Sequence, residues 1–193
     1  LGGGVAVHGG SPVRIINCLF YGNAAGQGLD IYVYEPMFKS LFCRNCTFAS
    51  VKSGVGNFRN LWSQSGDTVP TELVNCVIWG NPTPFEGDNW TVSHSVVRGG
   101  YPGEGNIDAD PLFVDPANGD FHLLAGSPCI DSASFTGPST DLDGNARPYD
   151  VPGIGRDGQG RRDDHQPGAA ARRDGRAGAV SAHLVDVPDE VAV

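Results

Sequence analysis

Along the first hundred positions, apolar and polar residues alternate in short runs that break off at Asn, Gly, Ser or Pro, and no stretch keeps a helical period. Four of these runs align with one another: "IINCLFYGN" from Ile15, "CRNCTFAS" from Cys43, "LVNCVIWGN" from Leu73 and the more divergent "VSHSVVRGG" from Val92. Their anchor positions Asn17, Asn45, Asn75 and His94 are 28, 30 and 19 residues apart. A fainter likeness matches "GGGVAV" at Gly2 to "GQGLDIYV" at Gly26. Repeats of this length, made only of short strands and turns, predict an all-β parallel solenoid. In such a fold each strand stacks on its counterpart at about 4.8 Å and equivalent side chains form columns.

The alternation assigns faces. Cys18, Cys46, Cys76 and Ser95 form one inward column, and Phe20, Phe48, Ile78 and Val97 form a second, two residues on. Thr47, between Cys46 and Phe48, is expected to face outward and to tolerate substitution. Asn17, Asn45 and Asn75 are expected to stack at a bend, their amides bonding to one another or to the turn backbone. The cysteine spacing does not suit zinc, because only Cys43 and Cys46 are close enough to pair and no second pair accompanies them. Stacked, mostly free thiols are the expectation.

Composition then narrows the function. The 28 Gly and 14 Pro demand many turns, and a formal charge of −9 is the wrong sign for nucleic acid, so no such partner is expected. No apolar run is long enough to span a bilayer. From Arg156 to Gly178 the chain is Arg-, Gly- and Ala-rich with no large apolar residue, and 156–193 is expected to be disordered, with the final "AVSAHLVDVPDEVAV" able to add a short strand or helix. The chain opens in a strand-like pattern at Leu1 and its one methionine is Met37, so the natural start, with any signal peptide, is expected upstream.

Candidate chemistry is sparse. Acids on the strands are few: Asp30 and Glu35 flank "IYVY", Glu72 precedes "LVNC", and Arg14 and Arg98 stand as lone candidates for a lyase base. No catalytic set is assigned. Among the aromatic residues at strand ends, Tyr21 and Trp79 are the candidates for stacking on a sugar face, with packing over the edges as the favoured alternative. Asn45 and Asn89 match the glycosylation sequon, which is taken as coincidence.

Beyond the repeats, the run Asn106 to Pro116 ("NIDADPLFVDP"), "GDFHL" at Gly119, "GSPCID" at Gly126 and "DLDGNARP" at Asp141 are dense in aspartate and in turn signals. Together these segments resemble the C-terminal module of bacterial choice-of-anchor Q proteins, and Leu1 to Gly100 resembles the repeats those proteins carry. The resemblance covers about residues 1–150. It implies a right-handed parallel β-helix of the pectin-lyase-like type over 1–104, an irregular C-terminal cap over 105–155 that closes the coil, and an extracellular or cell-surface location. It brings no catalytic residues.

The implied function is a monomeric, non-catalytic scaffold or adhesin-like module, a fragment of a larger protein that could meet envelope polysaccharide. The alternatives are the C-terminal part of a polysaccharide lyase or glycoside hydrolase with its site upstream, or a carbohydrate-binding module. The family's closing strand after the Asp-Gly-Asn turn is missing, which suggests a frameshift or divergence near Gly155 to Arg161. No cofactor is expected apart from calcium: Asp141, Asp143 and Asn145 alternate like the start of a calcium loop, yet Pro152 stands where its bidentate acid belongs. The favoured reading of that loop is a backbone-bonded turn braced by Arg147.

Overall fold

The computed structural model describes residues 3–7, 11–25, 28–33, 40–50, 61–63, 71–87, 90–134 and 138–146. The expectations for Glu35, Asn89, Arg147, the closing strand and the 156–193 tail lie outside these residues.

The strands come in rounds of three. The first round is β1 (Val5–Val7), β2 (Val13–Ile16) and β3 (Leu19–Phe20); the second is β4 (Ile31–Val33), β5 (Leu41–Arg44) and β6 (Thr47–Phe48). The third is β7 (Leu61–Ser63), β8 (Thr71–Val74) and β9 (Val77–Ile78), and the fourth is β10 (Phe85–Glu86), β11 (Trp90–Ser93) and β12 (Val96–Val97). Like strands pair in parallel, giving three four-stranded sheets ordered β1-β4-β7-β10, β2-β5-β8-β11 and β3-β6-β9-β12. The described residues are all-β, without an α-helix.

Register follows the sequence alignment in the second and third sheets, where Ile15, Cys43, Leu73 and Val92 fall in one column and Phe20, Phe48, Ile78 and Val97 in another. In the first sheet Val5 pairs with Ile31, two residues past the match of Gly2 to Gly26. The inward columns form one buried cluster containing Ile15, Cys43, Cys46, Phe48, Leu73, Cys76, Ile78 and Val97, with the Phe20 and Phe48 rings stacked at 4.9 Å.

One residue sets the corner between the second and third sheets in every round. Asn17, Asn45, Asn75 and His94 all have positive φ, at 56°, 52°, 57° and 49°. This left-handed conformation turns the chain sharply, and Asn tolerates it because its short amide can bond locally. Two of the amides bond to each other, Asn75 Nδ2 donating to Asn45 Oδ1 at 3.5 Å.

Residues 98–107 finish the fourth round. Ile107 adds a parallel bridge to Val96, the Tyr101 hydroxyl donates to the Trp90 carbonyl at 3.2 Å, and Asn106 Nδ2 donates to the Val92 carbonyl at 2.9 Å. Tyr101 also packs its ring on Phe85 at 4.6 Å. Gly103 permits the crossing: a methyl there would lie 1.9 Å from the Val92 carbonyl oxygen.

This changes the place of the Asp-rich segment. Gly105–Ile107, the start of the 105–155 segment, meet the last-round backbone together with Tyr101–Glu104, and the described residues that follow turn back along the outer face of the third sheet. Its hairpin is β13 (Phe113–Asp115) paired antiparallel with β14 (Asp120–Leu123) around the 3-10 turn Pro116–Asn118, and Leu123 of the hairpin with Cys129 and Ile130 beyond it packs on Val77 and Val96. Phe121 packs on Leu19 of the first round. The segment is thus a strap reaching from the fourth round to the first.

The strap overturns the expectation for Thr47. Thr47 does point away from the main core, in one column with Leu19, Val77 and Val96, but it is only 1% exposed because the strap covers that column. Replacing Cys46 by Ser should cost about 1–3 kcal/mol, since it buries a more polar and shorter group whose acceptors are the Ile15 and Arg44 carbonyls now reached by the longer thiol. Thr47→Asp should destabilise at least as much, because it would bury a carboxylate under the strap. Urea unfolding of the two variants checks the pair; a Thr47→Asp protein as stable as the parent would mean the strap does not seat on this sheet.

Candidate functional site

The strap gathers most of the polar chemistry of the described residues. Its hydrogen bonds to the rounds come largely from the corner column: Asn75 Oδ1 accepts from the Ser134 backbone N–H at 2.8 Å and the Ser134 hydroxyl at 2.9 Å, and Asn75 Nδ2 donates to the Ser134 carbonyl at 3.0 Å. Asn17 Nδ2 donates to the Thr140 carbonyl at 3.1 Å. The corner asparagines therefore hold two things, the bend and the strap.

Within the strap, His122 lies between two carboxylates. Its Nδ1 faces Asp120 Oδ1, and its Nε2 lies 2.8 Å from Asp143 Oδ2. Partial burial lowers the affinity of the ring for a proton, but Asp120 and Asp143 together outweigh that and hold its pKa above the ordinary histidine value. A protonated ring donates through both nitrogens, so His122 ties the β14 strand to the loop containing Asp143. No sequence pattern marked His122; its partners lie two and twenty-one residues away.

The loop proposed for calcium is engaged internally. Asp141 is buried, and its two oxygens accept from the backbone N–H of Asn145 at 2.7 Å and from Asn145 Nδ2 at 2.9 Å. Asp143 turns to His122 instead. The structure thus pairs Asp141 with Asn145 and separates Asp143 from them in role, which is the backbone-bonded turn. Among the described residues no group of three or more His, Cys, Asp or Glu side chains is placed to hold a metal ion.

Tyr21 and Trp79 occupy equivalent positions one residue after β3 and β9, in the outward direction, yet both serve the strap. The Tyr21 hydroxyl donates to the Ala117 carbonyl at 3.1 Å and its ring meets Phe121 edge-on at 5.1 Å. Trp79 is half-buried against the cluster of Val77, Leu123 and Ile130, with the Arg98 guanidinium 5.9 Å over its ring. The lone acids and bases do not converge. Asp30 is buried and accepts from Asn23 Nδ2 at 3.0 Å, whereas Arg14 and Glu72 share an outward column two rounds apart. Asn45 is buried, which removes it as a glycan acceptor.

All five cysteines are free thiols. Burial pushes Cys43 and Cys46 well above the usual thiol range, and neighbouring Cys46 does the same for Cys18. Cys129, under the strap, is pushed up to about 11, mainly by burial. Such thiols are poor nucleophiles at neutral pH. No helix among the described residues is long and apolar enough to cross a membrane. Comparison with family models finds no match, and neither do comparisons with curated proteins or with solved structures.

The His122 geometry makes strap stability depend on pH. Because the folded-state pKa is raised above the unfolded value of about 6.5, the stabilisation is complete below that value and is lost as pH rises through the folded pKa. Hydrogen exchange at the β14 amides should therefore speed up above neutrality in the parent, beyond the intrinsic base catalysis, and not in His122→Gln. Equal excess exchange in both proteins at every pH would exclude the imidazole as the lock.

Proposed function

We propose that the chain is a right-handed parallel β-helix scaffold, displayed outside the cell, whose flank is sealed by the strap. The observation that carries this reading is the register of the twelve strands. Each round repeats the same left-handed corner, the same inward thiol or hydroxyl and the same inward apolar residue, so the rounds add length without creating a distinct site. In this reading the Asp-rich motifs that resemble the choice-of-anchor Q module perform turn and strap chemistry. Asp110 accepts the Leu112 N–H, Asp120 accepts the His122 N–H, and Asp141 accepts the Asn145 N–H.

A structural role accounts for how the polar side chains are used. The carboxylates of Asp30, Asp120, Asp141 and Asp143 are each bonded to a side chain of the chain itself. The aromatics proposed for sugar stacking spend a hydroxyl or a ring face on the strap. The acidic net charge suits a solvated, extended surface object. What the rounds present to other molecules is area and shape, repeated at the strand spacing.

Surface display is tested by adding protease to intact producing cells. Fragments of this chain should be released and then absent from the washed cells. Full protection, with recovery of the intact chain from the cytosol, would overturn the proposed location.

A further inference from the structure

Near its start the strap carries an exposed apolar surface. Leu112 and Leu124 are 37% and 46% exposed, and they are neighbours, the Leu124 N–H donating to the Leu112 carbonyl at 2.9 Å. Leu112 has φ of +53°, a conformation that a residue with a bulky side chain adopts only when its surroundings impose it. Two contacts impose it here. The Asp110 carboxylate accepts the Leu112 N–H at 2.9 Å, and the Ser127 hydroxyl donates to the Pro111 carbonyl at 2.6 Å. The result is a leucine aimed at solvent where a glycine would sit without strain.

Beside these leucines lies an open groove of about 320 Å³, lined by Ile107, Ala109, Ala125, Gly126, Pro128 and Ile130 together with the Ser127 turn. That volume is near the lower end of the roughly 300–1,000 Å³ of ligand pockets, room for one or two large side chains. Leu112 borders the groove at Gly126, where an added methyl would stand 3.9 Å from Leu112 Cδ1. The lining carries no charge, and the charged residues next to it in the chain are acidic and exposed: Asp108 and Asp110 flank Ala109, each accepting one backbone N–H (Gly99 and Leu112) through a single oxygen, and Asp131 follows Ile130. A second copy of the chain would bring the same carboxylates face to face, which disfavours self-pairing.

We propose that this groove docks a short segment of a partner protein in which a large apolar side chain is flanked by Lys or Arg. The apolar side chain fills the groove against Leu112 and Leu124, and the flanking cations meet the Asp108, Asp110 and Asp131 rim. The proposal is independent of where the protein resides and of the scaffold role.

The probe is the acetylated and amidated pentapeptide Lys-Leu-Phe-Leu-Lys, titrated into the full chain and followed by backbone amide shifts, with Glu-Leu-Phe-Leu-Glu as the charge-reversed control. Shifts should concentrate at 107–112 and 124–131, weaken as salt is raised, and be at least tenfold weaker for the acidic peptide. Leu112→Gly is the decisive variant. Glycine suits the positive φ, so the melting temperature should hold or rise, while affinity for the basic peptide falls about tenfold with the anchor side chain gone. Leu124→Ser provides a second reading of the same loss. Equal binding of both peptides, shifts elsewhere, unchanged affinity in Leu112→Gly, or dimerisation through this face would each overturn the proposal.

Discussion

The structure depends on one backbone constraint, the left-handed corner at Asn17, Asn45, Asn75 and His94. A strand has a side-chain period of two, so a corner displaced by one residue would exchange the faces of everything after it. Because the corner recurs at the same place in each round, Cys46 and Cys76 fall inward together, and so do Phe20, Phe48, Ile78 and Val97. The residues chosen for it are those that enter this region at low cost and can use their side chains there. Asn75 shows the gain, for the same amide that makes the bend tolerable reaches both Asn45 and Ser134.

The third sheet then differs from an ordinary solvent-facing sheet. Its strands are two residues long, one residue inward and one outward, and both are buried. The outward column of Leu19, Thr47, Val77 and Val96 would be an apolar stripe without the strap, and the strap has few ladder bonds of its own to offer. It seats through Phe121, Leu123, Cys129 and Ile130 and is fixed by side chains from the corners and from His122. Packing supplies its adhesion and the polar contacts supply its position, the usual division between non-directional and directional forces.

Much of the three-sheet arrangement was legible in the sequence because periodicity reports directly on facing. The Asn and Cys columns, their bend and their inward direction follow from residue spacing alone. The strap was legible as a region of turns but not as to where it lies, since turn signals fix local geometry and carry no information about distant contacts. One clue to the covering is present in the strands themselves. "CLF", "CTF", "CVI" and "SVV" place apolar residues, or Thr, at the outward position, which is how a strand covered on both faces is written. Tyr21 and Trp79 were noticed as aromatics at strand ends, and their role became visible only with Phe121 and Ile130 beside them. His122 had no signal, because its two partners are brought to it by the hairpin and by the 138–146 loop.

The strap also acts as a ruler. It contacts Val96 in the fourth round, Asn75 in the third and Asn17 in the first, each through a different part of its length. Repeat arrays ordinarily grow or shrink by duplicating a unit, since each unit touches only its neighbours. Here a round gained or lost between Asn17 and Val96 would leave the Ser134 and Thr140 contacts about one strand spacing, roughly 4.8 Å, out of step. The covered part of the array is therefore held to a fixed count of rounds, and any variation in length is pushed to the side of the first round.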